Sequence, residues 1–333
     1  EDSSKDSTTA AAATTTTRVT IKTRVPAGQW IREIGSDVKR GSTVICRGTV
    51  LGPAEIGLLA SVGATSVCLQ RRPVIGIMST GDELIEASER VPGALRSSQS
   101  EIRDSNRPML MSAAHTTGAV VVDLGIVPDK EDLLRQSVLS ALERVDILVT
   151  SGGVSMGSKD FVKSVISSIQ GSQIHFGRVR MKPGKPATFA SVRMNKNSFS
   201  SSSSSSTSAH KLVFALPGNP VSSLVTFQLF VEPAVRRLLG FALEACHHSR
   251  VQARLAHSLP IDPVRREYHR AVLEWRQGHG MPIMSGGAGE FVAMSTGVQR
   301  SSRLLSMVTA SALLCLPRAT TRRRILPAGT IVS

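Results

Sequence analysis

The sequence predicts an α/β protein with a parallel sheet, helices on both faces of that sheet, and a small β-barrel at the C-terminal end. Between residues 73 and 243, apolar strand-like runs alternate with helical stretches, which is the pattern of a parallel sheet. After this region, in residues 244–333, only short strand-like pieces remain, as is typical of a small barrel. The predicted barrel strands lie in "RVQARLAHSLP", "EYHRAVLEWR", "GEFVAMSTG", "ALLCLP" and "TIVS".

The first 72 residues differ in composition and pattern from the rest of the chain. Residues 1–17 are a low-complexity tract rich in Ser, Thr and Ala, which we expect to be disordered. Residues 18–72 contain short strand-like pieces and one helical stretch, which is too little for a hydrophobic core of their own. We interpret them as a partial N-terminal region.

The first strand and helix of the predicted sheet come after residue 72. The apolar run "RPVIGIM" ends in "STGDEL". A helix is predicted near "DSNRPML", with Asn106 as its N-cap and Pro108 in its first turn.

The remaining strands follow in the same alternation. An amphipathic helix, "DKEDLLRQSVLSALERV", lies between the strand-like runs "GAVVVDLGIV" and "DILVT". The runs "ATFASVRM" and "KLVFALP" flank a serine tract, which predicts a hairpin with an expanded loop. The apolar face of the amphipathic helix consists of Leu133, Leu134, Val138, Leu142 and Val145.

The chain is strongly basic, with a net charge of +15 and a pI near 10.6. Such a charge favours an anionic substrate or partner. Nucleic acid is one candidate, but the chain has a single tyrosine, Tyr268, and no stretch in which aromatic and basic residues alternate to stack bases. We therefore expect no nucleic-acid binding. Part of the positive charge lies in "RATTRRRIL", where a solvated strand or turn is the simplest explanation.

The cysteine and histidine patterns indicate no metal centre or disulfide framework. The four cysteines are scattered and form no CxxC pair, which favours a reduced, cytosolic chain. The adjacent His247 and His248 lack a ligand partner at a suitable spacing, so we expect them at the surface. No apolar run reaches membrane-spanning length, and the N-terminal tract lacks the basic start and apolar centre of a secretory signal.

The segment "MKPGKPATF" (181–189) places Lys182 and Lys185 three residues apart, between prolines and around Gly184. Proline fixes φ and glycine allows a tight bend, so a stiff backbone holds two ammonium groups. This arrangement would suit an anion site, but a solvated surface turn explains the same residues. The segment alone leaves both alternatives open.

Three segments fall at the predicted carboxyl ends of strands, where ligands bind in parallel sheets. They are "STGDEL", "SGGVS" and "LPGNPVSS". Their glycines and helix N-termini would bring backbone amides close to a phosphate or a pterin. The convergence of these three segments predicts a binding site at this edge of the sheet.

The polar residues near these segments also have structural explanations. Asp160 either holds a metal ion or favours the positive end of the following helix. Asn219 would cap a helix that begins at Pro220, and Asp129 would begin a helix together with Asp132. For Asp129, simple capping is the favoured interpretation on sequence alone.

Taken together, the motifs resemble the molybdenum-insertion enzymes, that is, bacterial MoeA and the E domains of plants and of gephyrin. The resemblance runs from about Val25 to the C-terminus, with the motifs in the same order. The related G-type (MogA) domain carries a "TGGTG"-like turn in place of "SGGVS" and lacks the barrel. The motifs are "VIGIMSTGDEL", "IRDSN", "TSGGVSMGSKDF", "MKPGKP", "LPGNPVSS", "EYHR" and "SSRLLSM".

The resemblance implies a molybdopterin molybdotransferase of molybdenum cofactor biosynthesis. Adenylylated molybdopterin and molybdate would react with the help of Mg²⁺ or another divalent cation, releasing AMP and leaving molybdenum on the dithiolene. Ammonium, guanidinium and hydroxyl donors suit the molybdate oxyanion. The positions that match the family's molybdate pocket are Lys182, Lys185, Pro186, Ser222, Arg270 and Ser306.

The resemblance implies two further sets of site residues. The catalytic set matches Asp37, Glu83, Asp129, Asp160 and Ser301, of which Glu83, Asp129 and Asp160 would hold the metal ion. The pterin and nucleotide would contact Thr80, Gly81, Asp104, Asn106, Ser151, Gly152, Gly153, Ser155, Gly218 and Asn219.

One departure from the family pattern concerns the N-terminal region. Full-length relatives carry a "PPF…S…DGYA" segment with a catalytic aspartate, and a separate small β-containing lobe. Residues 1–24 do not resemble either feature. We therefore expect the chain as given to bind its substrates weakly and to turn over little by itself.

The resemblance also bears on partners. It implies a homodimer with sites near the subunit interface, and a G-type (MogA-like) domain as a further partner. Two alternatives to a working enzyme are a non-catalytic scaffold of the gephyrin kind and an inactive truncated homologue. Complementation of a strain deficient in molybdenum insertion separates the enzyme from the scaffold.

Overall fold

The structure, a computed structural model, describes residues 19–88, 101–154, 161–194, 209–277 and 289–333. The residues 1–17 expected to be disordered and the serine tract of the predicted hairpin loop lie outside these residues. The chain forms two compact units. The first contains residues 1–47 and 51–65, and the second contains 48–50 and 66–333.

The N-terminal stretch contains one helix. Helix α1 (Pro53–Ser61) begins with proline at its first position, and the Glu55 carboxylate accepts a hydrogen bond from the Gly52 N–H at 2.9 Å. The strands expected in 18–72 are not present, since residues 19–72, all of them described, form only this helix, turns and extended chain. Most of these residues are exposed, and no neighbouring strand offers them hydrogen-bond partners.

The second unit is built on a six-stranded sheet that is mixed rather than wholly parallel. Four neighbouring strands are parallel, as predicted, and the other two run antiparallel to their neighbours. The predicted hairpin explains this difference, because the two strands of a hairpin run in opposite directions. Across the sheet the strands are β4 (Val120–Val127), β1 (Val74–Thr80), β5 (Ile147–Ser151), β9 (Ala209–Leu216), β8 (Thr188–Met194) and β6 (Ser172–Phe176).

Helices cover both faces of this sheet, as predicted. A small parallel pair, β2 (Leu84–Ile85) and β3 (Ile102–Arg103), follows the first strand. A π-helical turn, Phe227–Val231, joins the last two helices of this region. The helices are α2 (Asn106–Thr116), α3 (Glu131–Arg144), α4 (Phe161–Ser168), α5 (Pro220–Thr226) and α6 (Glu232–Leu238).

Successive side chains along a strand point to opposite faces of the sheet, so each face has its own hydrophobic core. Ile75 and Ile77 of β1 pack with α2 and α6, whereas Met78 and Leu148 pack with α3 and α4. The apolar face predicted for α3 is confirmed except at Leu133, which is 42% exposed.

The C-terminal residues form a curled sheet with the strand order β14-β12-β13-β10-β16, in agreement with the predicted barrel. The elements are β10 (Ala253–Leu255), β11 (Leu259–Pro260), β12 (Arg266–Arg276), β13 (Glu290–Ser295), α7 (Leu305–Val308), β14 (Ala312–Leu316), β15 (Ile325–Leu326) and β16 (Ile331–Val332). The Cys315 N–H of β14 donates to the carbonyl oxygen of Ser333, which follows β16, at 2.6 Å. The two edge strands of the sheet, β14 and β16, therefore come together.

The lysine turn connects the two sheets. Strand β7 (Met181–Lys182) pairs in parallel with the start of β12, with Lys182 opposite Glu267. The turn therefore contributes to the C-terminal sheet, although it lies within the α/β region of the sequence. No helix among the described residues is long and apolar enough to cross a membrane.

Candidate functional site

The strand ends that were predicted to form a site converge on the first turn of α5. The Gly152 N–H, just after β5, donates to the Leu216 carbonyl oxygen at 3.1 Å. The Asn106 amide Nδ2 donates to Ser151 Oγ at 2.8 Å and to the Gly218 carbonyl oxygen at 2.7 Å. Segments from three strand-to-helix connections therefore lie in direct contact.

Asn106 is not the N-cap of α2, contrary to the prediction. Helix α2 begins at Asn106, and Asp104 Oδ1 accepts hydrogen bonds from the N–H groups of Asn106 (3.0 Å) and Arg107 (3.1 Å). Because the Asp104 carboxylate satisfies these donors, the Asn106 side chain is available to reach Ser151.

Arg107 fixes the capping carboxylate in place. Its buried guanidinium pairs with Asp104 at 3.1 Å and also with Glu86 and Asp123. Burial disfavours the charged guanidinium, but the hydrogen bonds that it donates to three carboxylates raise the pKa of Arg107. The start of α2 is thereby anchored to the neighbouring strands.

The glycine turn after β5 brings backbone groups close together. Gly152 has φ of +100°, and a Cβ there would overlap the Thr80 carbonyl oxygen. Gly153 has φ of +63°, and a Cβ there would lie 2.6 Å from a methyl group of Val162. Only glycine fits both the conformation and the space, so the turn packs closely against Thr80 and Val162.

Four buried polar atoms near this edge have no hydrogen-bond partner among the described residues. Buried polar groups are normally satisfied, so an unpaired group of this kind is what a polar ligand would complete. Because the Asn106 Nδ2 faces a carbonyl oxygen, the unpaired atom of its amide is the acceptor Oδ1. The four atoms are Ser79 Oγ, Thr80 Oγ1, Asn106 Oδ1 and Thr150 Oγ1.

Two predicted acids flank the turn after β1. The Glu83 carboxylate lies over Gly81, with Oε2 2.7 Å from where a Cβ would stand. The Gly81 N–H donates to the Val127 carbonyl oxygen at 3.3 Å, and the Asp129 N–H donates to Asp82 Oδ1 at 3.0 Å. Glu83 and Asp129 therefore belong to adjoining loops.

Capping does not explain Asp129. Helix α3 begins at Glu131 with Lys130 at the N-cap position and has no side-chain cap. The favoured interpretation of Asp129 was therefore wrong. Among the described residues no group of three His, Cys, Asp or Glu side chains is placed to hold a metal ion. The third acid of the predicted metal set, Asp160, lies outside the described residues, as does Ser155.

Asn219 occupies the N-cap position of α5, with Pro220 first in the helix, but its side chain makes no capping hydrogen bond. The prediction was right about the position and wrong about the bond. The Asn219 carbonyl oxygen instead accepts the Ser223 N–H at 2.9 Å. The Ser223 hydroxyl lies 3.3 Å from Ser151 Oγ, which ties α5 to the end of β5.

Arg270 is the most unusual residue of the predicted molybdate set. Only 1% of its surface is exposed, and its guanidinium donates to Ser306 Oγ at 3.1 and 3.2 Å and to the Arg300 carbonyl oxygen at 3.2 Å. No carboxylate of the described residues forms an ion pair with it. Burial lowers the pKa of Arg270, although the charge of Glu267 acts in the opposite direction.

The elements that carry the molybdate set surround one small apolar cluster. Met181, Val221 and Val225 form its buried centre, and Tyr268 and Met307 pack against it. These residues belong to the elements that carry four predicted ligands, namely Lys182, Ser222, Arg270 and Ser306.

The other two residues of the molybdate set, and Ser301 of the predicted catalytic set, lie on the adjoining loops. The Ser301 carbonyl oxygen accepts the Val221 N–H at 3.0 Å, so Ser301 adjoins the start of α5. Lys185 is exposed and Pro186 is half-buried. The Lys185 carbonyl oxygen accepts the Val179 N–H at 2.8 Å, which closes the lysine turn.

Lys182 is held by carboxylates that the sequence interpretation did not include. Its Nζ donates to Glu267 Oε2 at 3.1 Å and lies 3.8 Å from Asp262 Oδ2. Glu267 is buried and is also 3.2 Å from His269 Nδ1. Burial would raise the pKa of Glu267, but His269 and Lys182 together lower it. Lys182 is therefore held in an ion pair and is not a freely solvated lysine.

Asp37 belongs to the first unit. Its carboxylate pairs with Arg32 at 2.6 Å, and both side chains are exposed.

Three family models match the chain. They are the MoeA N-terminal region (domain I and II) over residues 1–63, the probable molybdopterin binding domain over 76–237, and the MoeA C-terminal region (domain IV) over 252–333. The chain belongs to the MoeA family.

Individual relatives agree with this assignment of the MoeA-family chain. Gephyrin from Dictyostelium discoideum is 41% identical over 314 residues, which cover 90% of this chain and 42% of the relative. The molybdopterin molybdenumtransferase of Bacillus subtilis is 31% identical over 303 residues, covering 91% and 62%. The chain spans about half the length of the curated relatives it matches.

A solved structure shows the same fold. The molybdopterin biosynthesis MoeA protein of Pyrococcus horikoshii matches with a TM-score of 0.64 and 23% identity. The match covers 89% of this MoeA-family chain and 62% of that one.

Proposed function

We propose that this MoeA-family chain carries the catalytic core of a molybdopterin molybdotransferase. The reaction transfers molybdenum from molybdate to the dithiolene of adenylylated molybdopterin and releases AMP. The observation that carries the proposal is the buried Arg270 guanidinium, which has no carboxylate partner among the described residues.

A buried cation without a counter-ion is costly, and an anionic ligand removes that cost. Molybdate is a tetrahedral dianion, which guanidinium and hydroxyl donors suit through charge-assisted hydrogen bonds. Ser306 already touches the guanidinium, and Ser222 and Lys182 are carried by elements packed on the same apolar cluster. Lys185 and Pro186 complete the proposed pocket on the lysine turn.

Adenylylated molybdopterin is proposed to bind at the carboxyl ends of β1 and β5. The glycine turn at Gly152 and Gly153 is proposed to lie against the phosphoanhydride, as glycine turns after parallel strands suit phosphate groups. The Asn106 Oδ1 would accept a hydrogen bond from an N–H group of the substrate. Thr80, Asp104, Ser151 and Gly218 position this edge.

The two proposed half-sites share the first turn of α5. Gly218 and Ser223 contact Asn106 and Ser151 on one side, and Val221 contacts Ser301 on the other. The dithiolene of a pterin bound on one side would therefore approach molybdate bound on the other. Holding both reactants on one rigid element supplies much of the rate enhancement in group transfer.

A divalent cation such as Mg²⁺ suits the acids near this edge, because carboxylate oxygens are its preferred ligands. We propose that Glu83 and Asp129 hold it, together with Asp160, where it would offset the negative charge of the phosphoanhydride. Asp37 and Ser301 are proposed as further catalytic residues.

We further propose a homodimer with sites near the subunit interface, a G-type domain as a partner, and a cytosolic location. Sedimentation at micromolar concentration tests the dimer, and a monomer would count against it.

The test is AMP release from adenylylated molybdopterin in the presence of molybdate and Mg²⁺. It is measured for this chain and for Arg270→Met. We expect release that depends on molybdate and that Arg270→Met abolishes. AMP release that does not depend on molybdate and is unchanged in Arg270→Met would refute the proposal. Complementation of a strain deficient in molybdenum insertion separates this enzyme from a gephyrin-like scaffold.

A further inference from the structure

The side chain of Gln299 binds the backbone of Arg270 through both ends of its amide. Gln299 Oε1 accepts the Arg270 N–H at 2.8 Å, and Gln299 Nε2 donates to the Arg270 carbonyl oxygen at 3.3 Å. Nε2 also donates to the Gly297 carbonyl oxygen at 3.1 Å and lies 3.3 Å from Thr296 Oγ1. Each polar atom of the amide is used within the loop or on Arg270.

This contact continues the β-ladder after the neighbouring strand has ended. Strand β13 pairs with β12 up to Ser295, which lies opposite Ala271. The Thr296 N–H still donates to the Arg270 carbonyl oxygen at 3.1 Å, and the chain then turns away at Gly297, where φ is +87°. The Gln299 amide takes the place of the peptide group that a longer strand would have offered to Arg270.

The same loop then surrounds the Arg270 side chain. Arg300 accepts a hydrogen bond from the guanidinium, Ser301 accepts one from the start of α5, and Ser306 accepts two from the guanidinium. Gln299 is thus the point at which the loop is fixed to the backbone of the residue whose side chain it encloses.

We propose that Gln299 is a positioning residue that sets the direction of the Arg270 guanidinium toward molybdate. This inference rests on the proposed function and assigns to it a residue that does not touch the substrate. Without the Gln299 amide, the Arg270 N–H loses its 2.8 Å acceptor, and the loop keeps only its attachments through Thr296 and the guanidinium. The guanidinium would then sample several directions, and molybdate binding would have to select one of them.

The experiment compares Gln299→Met, which keeps the length of the side chain and removes both hydrogen bonds to the Arg270 backbone, with Val298→Ala in the same loop. Val298 is 55% exposed and serves as the matched control. Molybdate binding to the full chain is measured by calorimetry, with inorganic molybdate as the probe. Loss of two hydrogen bonds predicts a dissociation constant about tenfold higher for Gln299→Met, and no change for Val298→Ala.

A second readout separates positioning from general damage to the fold. In the AMP-release assay, Gln299→Met should raise the KM for molybdate about tenfold and leave the KM for adenylylated molybdopterin unchanged. An equal rise in both constants, or an unchanged affinity for molybdate, overturns the inference.

Arg270→Met distinguishes failure of this inference from failure of the proposed function. If Arg270→Met binds molybdate as well as the unaltered chain, the molybdate site itself is wrongly placed and both proposals fall. If Arg270→Met loses molybdate and Gln299→Met does not, only the role of Gln299 is refuted.

Discussion

The Val221 N–H donates to the Ser301 carbonyl oxygen at 3.0 Å, which joins the start of α5 to the loop that encloses Arg270. The two residues are 80 positions apart in sequence: Val221 lies in α5, and Ser301 lies in the loop between β13 and α7. Through this contact the helix that borders the proposed pterin site also borders the proposed molybdate site. A substitution on the pterin side of α5 tests binding of the pterin substrate, and a substitution on the other side tests binding of molybdate.

Replacing Arg270 should weaken function and leave stability intact. Arg270→Met removes a buried charge that has no carboxylate partner among the described residues, so the melting temperature should stay the same or rise. Molybdate affinity should fall by roughly 100-fold, the scale of a lost charge-assisted contact. Arg276→Met, which removes an exposed pair with Glu274, is the control and should change neither quantity. A large loss of stability in Arg270→Met would show that the guanidinium is structural.

The two lysines of the turn should behave differently. Lys182→Ala leaves the buried Glu267 without its ammonium partner, which should cost about 1–3 kcal/mol of unfolding free energy. Lys185→Ala removes an exposed side chain and should cost less than about 0.5 kcal/mol. Both variants should bind molybdate more weakly, as measured by calorimetry. Unchanged affinity in the double Lys→Gln variant would exclude the turn from the site.

Glu267 predicts a pH dependence of stability. Its pKa is lower in the folded chain than its ordinary value, so its contribution is complete above that ordinary value, near 4.3, and is lost as the pH falls through the folded pKa. In Lys182→Ala the pKa of Glu267 should rise, because burial then acts with one partner fewer. The stability difference between the two chains should therefore be largest at neutral pH and shrink below about pH 4. Urea unfolding from pH 3 to 7 measures it, and a constant difference would contradict the assignment.

Asn106→Ala should affect the pterin substrate alone. The substitution removes the unpaired acceptor Oδ1 and the bonds to Ser151 and Gly218, so the KM for adenylylated molybdopterin should rise about tenfold. Molybdate binding should not change, because no hydrogen bond among the described residues joins Asn106 to the Arg270 loop. A rise confined to the molybdate KM would place Asn106 in the wrong half-site.

Gly152→Ala should be strongly destabilising. The positive φ and the overlap with the Thr80 carbonyl oxygen together predict a loss of roughly 3 kcal/mol or more. Gly329→Ala is the matched control, because Gly329 has φ of +82° but nothing within 4 Å of a Cβ. Its loss should be only about 1 kcal/mol, the cost of the conformation alone. Equal losses in thermal unfolding would show that the close approach at Gly152 can relax.

The sequence was sufficient for the layers of the fold and for the edge of the sheet at which polar groups gather. Period and burial pattern are local properties, so "RPVIGIM" and "DILVT" were recognised as strands. Helix caps were predicted less well, because neighbouring polar residues can each satisfy the same N–H groups. Asp104, not Asn106, serves α2, and the Asn219 side chain does not cap α5.

Sequence patterns could not predict contacts between distant segments. Lys182 and Glu267 are 85 residues apart, and only the pairing of β7 with β12 brings them together. The contact of Gln299 with Arg270 could not be predicted for the same reason, since nothing in "GVQRSS" indicates which backbone groups its amide will bind. The role proposed for Arg270 came from a family resemblance, and its burial gives that role a physical basis.

The pairing of Met181 and Lys182 with β12 bears on how this protein can be divided or recombined. The change of sequence pattern near residue 243 suggests a place to separate two modules, but a cut there strips β7 of its neighbour and leaves Glu267 without Lys182. The α/β layer and the curled sheet are therefore not interchangeable parts. A chimera that takes its C-terminal sheet from another protein must also supply a strand edge that accepts β7 and a carboxylate that receives its lysine.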